Sequence, residues 1–186
     1  MMEIFPPKDD SQFILVDFQT GFLKAFKDKV VKQLQGNLSL LIEVMKYYKI
    51  PITVMEQNNS KLGSTTVEIQ NSLAEHYTPF NKFFFSGFKD ASIASAITNL
   101  KKSNVILGGI ETHICVLQTT IDLISRSYNV YIVSDCVGSR RKEDWKAGLD
   151  KLKDCGANLI TSEMLLFAYL ETSAGPPFKH FLPFLK

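Results

Sequence analysis

Short apolar runs rich in β-branched and aromatic residues alternate with segments of helical period along the chain, and this alternation restricts the fold more than any other feature. "QFILVD" (12–17) reads as a first strand. From Val31 the apolar positions Leu34, Leu38, Leu41, Met45 and Tyr48 step by three and four, the spacing of one helix face. "PITVM" (51–55) is a second strand, because Pro51 bars continuation of the helix. Residues 59–79 are expected to be loop with one short helix near 66–74. "FNKFFFS" (80–86), "NVILGG" (104–109), "NVYIVSD" (129–135) and "ANLIT" (157–161) supply the remaining strands. Helices are expected from Asp90 through Leu100, after residue 109 through Ile124, over 142–154 ending before Gly156, and over 162–171 with Ser162 as N-cap.

Near-continuous apolar strands alternating with amphipathic helices mean a parallel sheet covered on both faces. Right-handed crossovers then give an α/β, doubly wound, three-layer sandwich. No repeat or linker divides the 186 residues, so one domain over 1–186 is expected. The tail 171–186 carries Phe178, Phe181, Leu182, Phe184 and Leu185 among three prolines. Its apolar side chains are expected to be covered by a partner subunit, in a homo-oligomer of two or more copies.

Composition removes several classes of function. Lys and Arg number 21 against 19 Asp and Glu, a net charge of +2 with no basic stripe, so neither nucleic acid nor a membrane surface is the expected partner. No apolar run approaches the roughly 20 residues that span a bilayer. The start, "MMEIFPPKDDSQ", lacks the basic and apolar regions of a signal peptide. Cys115, Cys136 and Cys155 are odd in number and widely spaced, which fits a reducing compartment and a cytoplasmic protein.

Ligands of doubly wound sheets bind beyond the carboxyl ends of the strands. Asp17, Glu56 with Gln57, Lys82, Ser86, residues 108–115 and Asp135 stand at or near those ends. Asp17 either caps a neighbouring element or serves a site. Lys82, set among Phe80 and Phe83 to Phe85, either snorkels to water or is buried against a carboxylate. Cys115 is either a small buried hydrophobe or a nucleophile at a loop-to-helix junction, where amide groups, the helix dipole and a nearby lysine would depress its pKa. Cys136 and Cys155 lack that setting and are read as structural. His76, His113 and His180 have no metal-ligand spacing. His113, two residues from Cys115, is assigned a supporting role. "LGGIET" matches no nucleotide-binding motif, and "SRRKEDWK" (139–146) reads as a solvated helix start from which Arg140 or Arg141 could reach a subunit interface.

Asp17 in "ILVDFQTGF", Lys82 in "NKFFFSGF" and Cys115 in "GGIETHICV" resemble the Asp–Lys–Cys triad of the isochorismatase-like cysteine hydrolases. "MEQNNSKLGST", "GIETHICVLQTTIDL", "VSDCVGSR" and the segment from Thr161 onward look like the isochorismatase domain-containing subgroup. The resemblance implies a six-stranded parallel sheet of order 3-2-1-4-5-6. It implies that Cys115 is the nucleophile, Asp17 its base and Lys82 the cation holding both. It also implies a cis peptide between Ile110 and Glu111, which turns the Glu111 N–H toward that of Cys115 as an oxyanion hole. The region after the second strand lacks the histidines of metal-dependent nicotinamidases, so neither a metal nor another cofactor is expected. Cys115 itself argues against vinyl-ether cleavage of isochorismate. The expected activity is metal-independent hydrolysis of a small amide or related C–N bond through a Cys115 thioester, with Phe18, Gln19, Phe22 and Gln57 lining the pocket. The competing reading is a silent or redox-sensing binding protein that keeps the fold.

Overall fold

The computed structural model describes residues 4–185. Its centre is a six-stranded parallel sheet of order β3-β2-β1-β4-β5-β6, the order implied by the resemblance. The strands are β1 (Ser11–Val16), β2 (Ile52–Gln57), β3 (Pro79–Lys82), β4 (Asn104–Ile110), β5 (Asn129–Gly138) and β6 (Asn158–Ile160). Between β1 and β2 lie α1 (Thr20–Leu23) and α2 (Asp28–Tyr47); between β2 and β3 lie α3 (Asn59–Leu62) and α4 (Val67–Leu73). Then follow α5 (Ala91–Asn99), α6 (Leu117–Ile124), α7 (Lys142–Asp154), α8 (Ser162–Leu170) and α9 (Pro176–Phe181).

The pleat divides the core into two layers. Phe13 and Leu15 of β1 face α2, α4 and α8, while Ile14 and Val16 face α5, α6 and α7. Leu34, Leu38, Leu41 and Met45 are the buried stripe of α2, as their spacing requires. Asp90 caps α5 by accepting from the backbone of Ser92 and Ile93. Gly156, at φ +96°, takes the left-handed position after α7.

Three local expectations are corrected. Strand three stops at Lys82 rather than Ser86: the chain turns, and Phe83, Phe84 and Phe85 stand 68%, 54% and 55% exposed. The cap of α8 is Thr161, whose hydroxyl accepts from Met164 N–H, because Ser162 gives its own hydroxyl and N–H to Asp135. The tail is not uniformly exposed. Phe181 is fully buried in this chain's own core, against Tyr47 and Tyr48, and Phe178 and Leu185 pack partly on that core. Only Leu182 and Phe184 remain outside among the tail's large apolar side chains.

Candidate active site

The parallel register brings three strand ends together. Val16 pairs with Met55 on one side and with Gly109 on the other, so β1 ends between β2 and the bend that follows β4. Asp17 leaves the strand in a left-handed conformation, φ 48°, held by its N–H on the Met55 carbonyl. Gly109 is obligatory here: its φ is +119°, and a Cβ would collide with the Val16 carbonyl. The glycine lets β4 run close against β1 before the chain bends at the Ile110–Glu111 peptide, which is cis. A five-residue turn with π-type hydrogen bonding, Thr112–Val116, then carries Cys115 into α6. Ile114 and Val116 N–H both donate to the Glu111 carbonyl, which fixes the turn.

Lys82 and Asp17 form a buried pair, Nζ to Oδ2 2.7 Å, with neither side chain exposed. The snorkelling alternative is thereby removed. Register sets Gln57 beside Lys82, and Gln57 Oε1 accepts from the same ammonium at 2.7 Å. The Phe84 and Phe85 carbonyls lie 3.3 and 3.4 Å from Nζ, and the Phe83 carbonyl accepts from Gln57 Nε2. The turn that ends β3 is therefore built around the lysine head group. Asp17 Oδ1 is buried with no hydrogen-bond partner among the described residues, and the Cys115 thiol is near enough for the two groups to shift each other's protonation.

Burial dominates the protonation of the group. It raises the Asp17 carboxyl above the usual range, against the opposing charge and hydrogen bond of Lys82. It also pushes the Cys115 thiol well up, helped by the Asp17 charge and only partly countered by Lys82. The expectation of a depressed thiol is thus overturned: Cys115 is 3% exposed, and desolvation outweighs the lysine and the start of α6. The resting site holds a thiol beside a carboxylate of enhanced proton affinity. Moving the thiol proton to Asp17 leaves the net charge of the three side chains unchanged, which is the transfer that a dry site tolerates best.

The remaining candidates fall elsewhere. Phe18 is fully buried in the core layer of α2. Gln19 is also fully buried. It braces the strand ends, with Oε1 on Gln57 N–H and Nε2 on the Gln57 and Gly63 carbonyls. Gln57 accepts from Lys82, and Phe22 is partly buried against the core. Ser86 bonds Asp122, Asp135 bonds Ser162, and Glu56 proves to lie inside β2. His113 meets Ser139 at 2.9 Å, consistent with support rather than partnership with Cys115. Glu111, 3% exposed, takes the Arg140 N–H at 3.0 Å and its guanidinium at 3.3 Å. Arg140 therefore reaches the nucleophile turn of its own chain. Among the described residues, no group of three or more His, Cys, Asp or Glu side chains could hold a metal ion.

One residue was given no role in advance. Glu56 is buried and accepts from Thr65 N–H, Thr65 Oγ1 and Tyr77 Oη, pushing the Tyr77 phenol up to about 12 after the larger effect of burial. Its charge also adds to the proton affinity of Asp17. A carboxylate at the close of an apolar strand was the available signal.

An all-parallel doubly wound sheet with a buried acid–lysine pair and a cysteine after a cis bend places the chain among the three-layer α/β proteins. Residues 11–164 match the isochorismatase domain, and the chain belongs to the isochorismatase family. It is 33% identical over 149 residues to the secreted isochorismatase effector Isc1 of Phytophthora sojae, covering 78% of this chain and 71% of that protein. It is 30% identical over 176 residues to isochorismatase domain-containing protein 2 of Bos taurus, covering 95% and 83%. The solved structure described as MAR1 ribonuclease from Caenorhabditis elegans superposes with a TM-score of 0.86 at 34% identity, over 97% and 92% of the two chains.

Proposed function

We propose that the chain is a cysteine hydrolase that cleaves a small amide or related C–N bond through a thioester on Cys115. The observation that carries this reading is the fully buried Asp17–Lys82 pair, with the buried Cys115 thiol electrostatically coupled to both. Asp17 takes the thiol proton as sulfur attacks the carbonyl carbon, and the Lys82 ammonium supports the thiolate. The oxyanion rests on the amide N–H groups of Glu111 and Cys115. Asp17 returns the proton to the leaving nitrogen, whose bond to carbon breaks, and the acyl group stays on sulfur. Asp17 then takes a proton from water, whose oxygen attacks the thioester carbon; the C–S bond breaks, the acid leaves, and Asp17 returns the proton to the Cys115 sulfur. No step needs a metal or an organic cofactor.

A small-molecule substrate suits a group this deeply buried. A homo-oligomer is proposed with it, on the exposed Phe83 to Phe85 and on Leu182 and Phe184. A cytoplasmic location is proposed on three cysteines that form no disulfide; no helix among the described residues is long and apolar enough to cross a membrane. Amine release from a panel of small amides and ureas, with Cys115→Ala as control, tests the reaction. Release lost in the variant supports it. Release retained in the variant, or Cys115-dependent cleavage of RNA with every amide untouched, contradicts it.

A further inference from the structure

A cleft of about 370 Å³ opens at the carboxyl end of β5, and none of Asp17, Lys82 or Cys115 lines it. Its floor comes from an irregularity in the sheet. Leu107 of β4 pairs with Ile132, but Gly109 pairs with Val137, so residues between those partners bulge out of the ladder and Ser134 and Asp135 face the cleft. One wall is apolar: Phe26, Val30 and Leu34 from the α2 side, and Trp145 from α7.

Three of the other lining groups are cationic and one is acidic. Lys27, Arg140 and Lys142 all contribute. Neither Lys27 nor Lys142 has an ion pair or side-chain hydrogen bond among the described residues, whereas Arg140 is bound to Glu111. The one acidic lining residue, Asp135, already accepts from Ser162 at both oxygens. The N-termini of α2 and α7 open at the same rim, and neither N-cap side chain, Lys27 or Arg141, bonds the first turn. Unpaired positive charge on one side and a tryptophan-lined apolar wall on the other suit a ligand with both characters. Inorganic phosphate would leave the wall unused, and a neutral hydrocarbon would leave the cations unused.

We propose that this cleft binds a small organic acid, its carboxylate among Lys27, Lys142 and Arg140 and its apolar body against Trp145, Phe26 and Val30. The same chemistry fits either the non-reacting end of the substrate or a separate effector. In both cases Arg140 links the occupant to the catalytic turn, since its N–H and guanidinium hold the Glu111 carboxylate beside the cis bend.

Trp145 is the chain's only tryptophan, so its fluorescence reports on the cleft directly. The full chain is titrated with hydrocinnamate and, as neutral control, hydrocinnamamide. Hydrocinnamate is expected to give a saturable change at or below about millimolar concentration, with the amide weaker by about tenfold or more. The exposed pair Lys27→Gln and Lys142→Gln, made together, is expected to weaken the acid about tenfold while circular dichroism and melting temperature stay unchanged. No saturable change, equal response to the amide, or undiminished binding by the double variant would overturn the proposal. Modification of Cys115 by acrylamide, followed by mass spectrometry under saturating hydrocinnamate, separates the two sources. Protection identifies the substrate's own end, and unprotected labelling identifies an effector; both follow only if the acid binds. The fluorescence readout is independent of whether Cys115 turns over any amide.

Discussion

Lys82 Nζ lies 2.7 Å from Asp17 Oδ2 with both side chains sealed from solvent. Such a pair costs more to break than to replace as a unit. Lys82→Met is expected to destabilise the fold by about 3–5 kcal/mol, because it leaves the buried Asp17 carboxylate without its counter-charge, whereas Asp17→Asn removes a charge that burial disfavours and is expected to cost less. The double variant is expected to lose less than the sum. Urea unfolding of the four proteins measures the coupling, and strict additivity would show that the two charges do not depend on each other.

The two substitutions should act oppositely on the thiol. Asp17 raises the Cys115 pKa and Lys82 lowers it. Asp17→Asn is therefore expected to speed alkylation of Cys115 by iodoacetamide at neutral pH, by about tenfold for each unit by which the pKa falls, while abolishing turnover. Lys82→Met is expected to slow alkylation. Peptide mapping over time reads both rates, and a common direction in the two variants would contradict the assignment.

The pH dependence follows from the raised Asp17 carboxyl. Only its ionised form is the base, so turnover should fall with acid through a pKa above the ordinary carboxylate range. Lys82 holds that pKa down, so Lys82→Met should move the acid limb of any residual activity to higher pH. The stability sign is opposite to that of an ordinary ion-paired carboxylate. The folded protein holds the Asp17 proton more tightly than the unfolded chain does. Its contribution is thus full below the unfolded pKa and is lost as pH rises through the folded one. Melting temperatures across mildly acidic pH should show this slope in the wild type and lose it in Asp17→Asn.

Gly109→Ala tests the close approach of β4 to β1. The added methyl meets the Val16 carbonyl at a φ that L side chains rarely adopt. Loss of folded protein, or a drop in melting temperature far beyond that of a typical surface change, is expected. Gly36→Ala is the contrast: nothing lies within 4 Å of its added Cβ, so it should be tolerated. Equal behaviour of the two would remove the steric argument.

The parts of the site that were legible in the sequence were those where local chemistry conflicts with local pattern. A lysine among phenylalanines and an aspartate closing "FILV" each demanded a partner, and parallel register supplied it. The direction of the thiol pKa was not legible, because a helix start and a lysine can be read from order but burial cannot. The end of β3 was missed because three aromatics in a row score as strand, whereas the Lys82 ammonium gathers the carbonyls of Phe84 and Phe85 and turns the chain outward. The bracing contacts of Gln19 and Gln57 were not legible, because an amide's hydrogen-bonding duty depends on contacts distant in sequence. Phe181 was placed outside for the same reason: its neighbours Tyr47 and Tyr48 lie at the far end of α2.

The most direct test of the Cys115 chemistry is intact-mass and peptide analysis of protein quenched during turnover of an amide that the panel identifies. A mass increase equal to the acyl group is expected on the peptide bearing Cys115, disappearing as substrate is exhausted. Turnover of that amide with the acyl group never on Cys115, and at the same rate in Cys115→Ala, would contradict it.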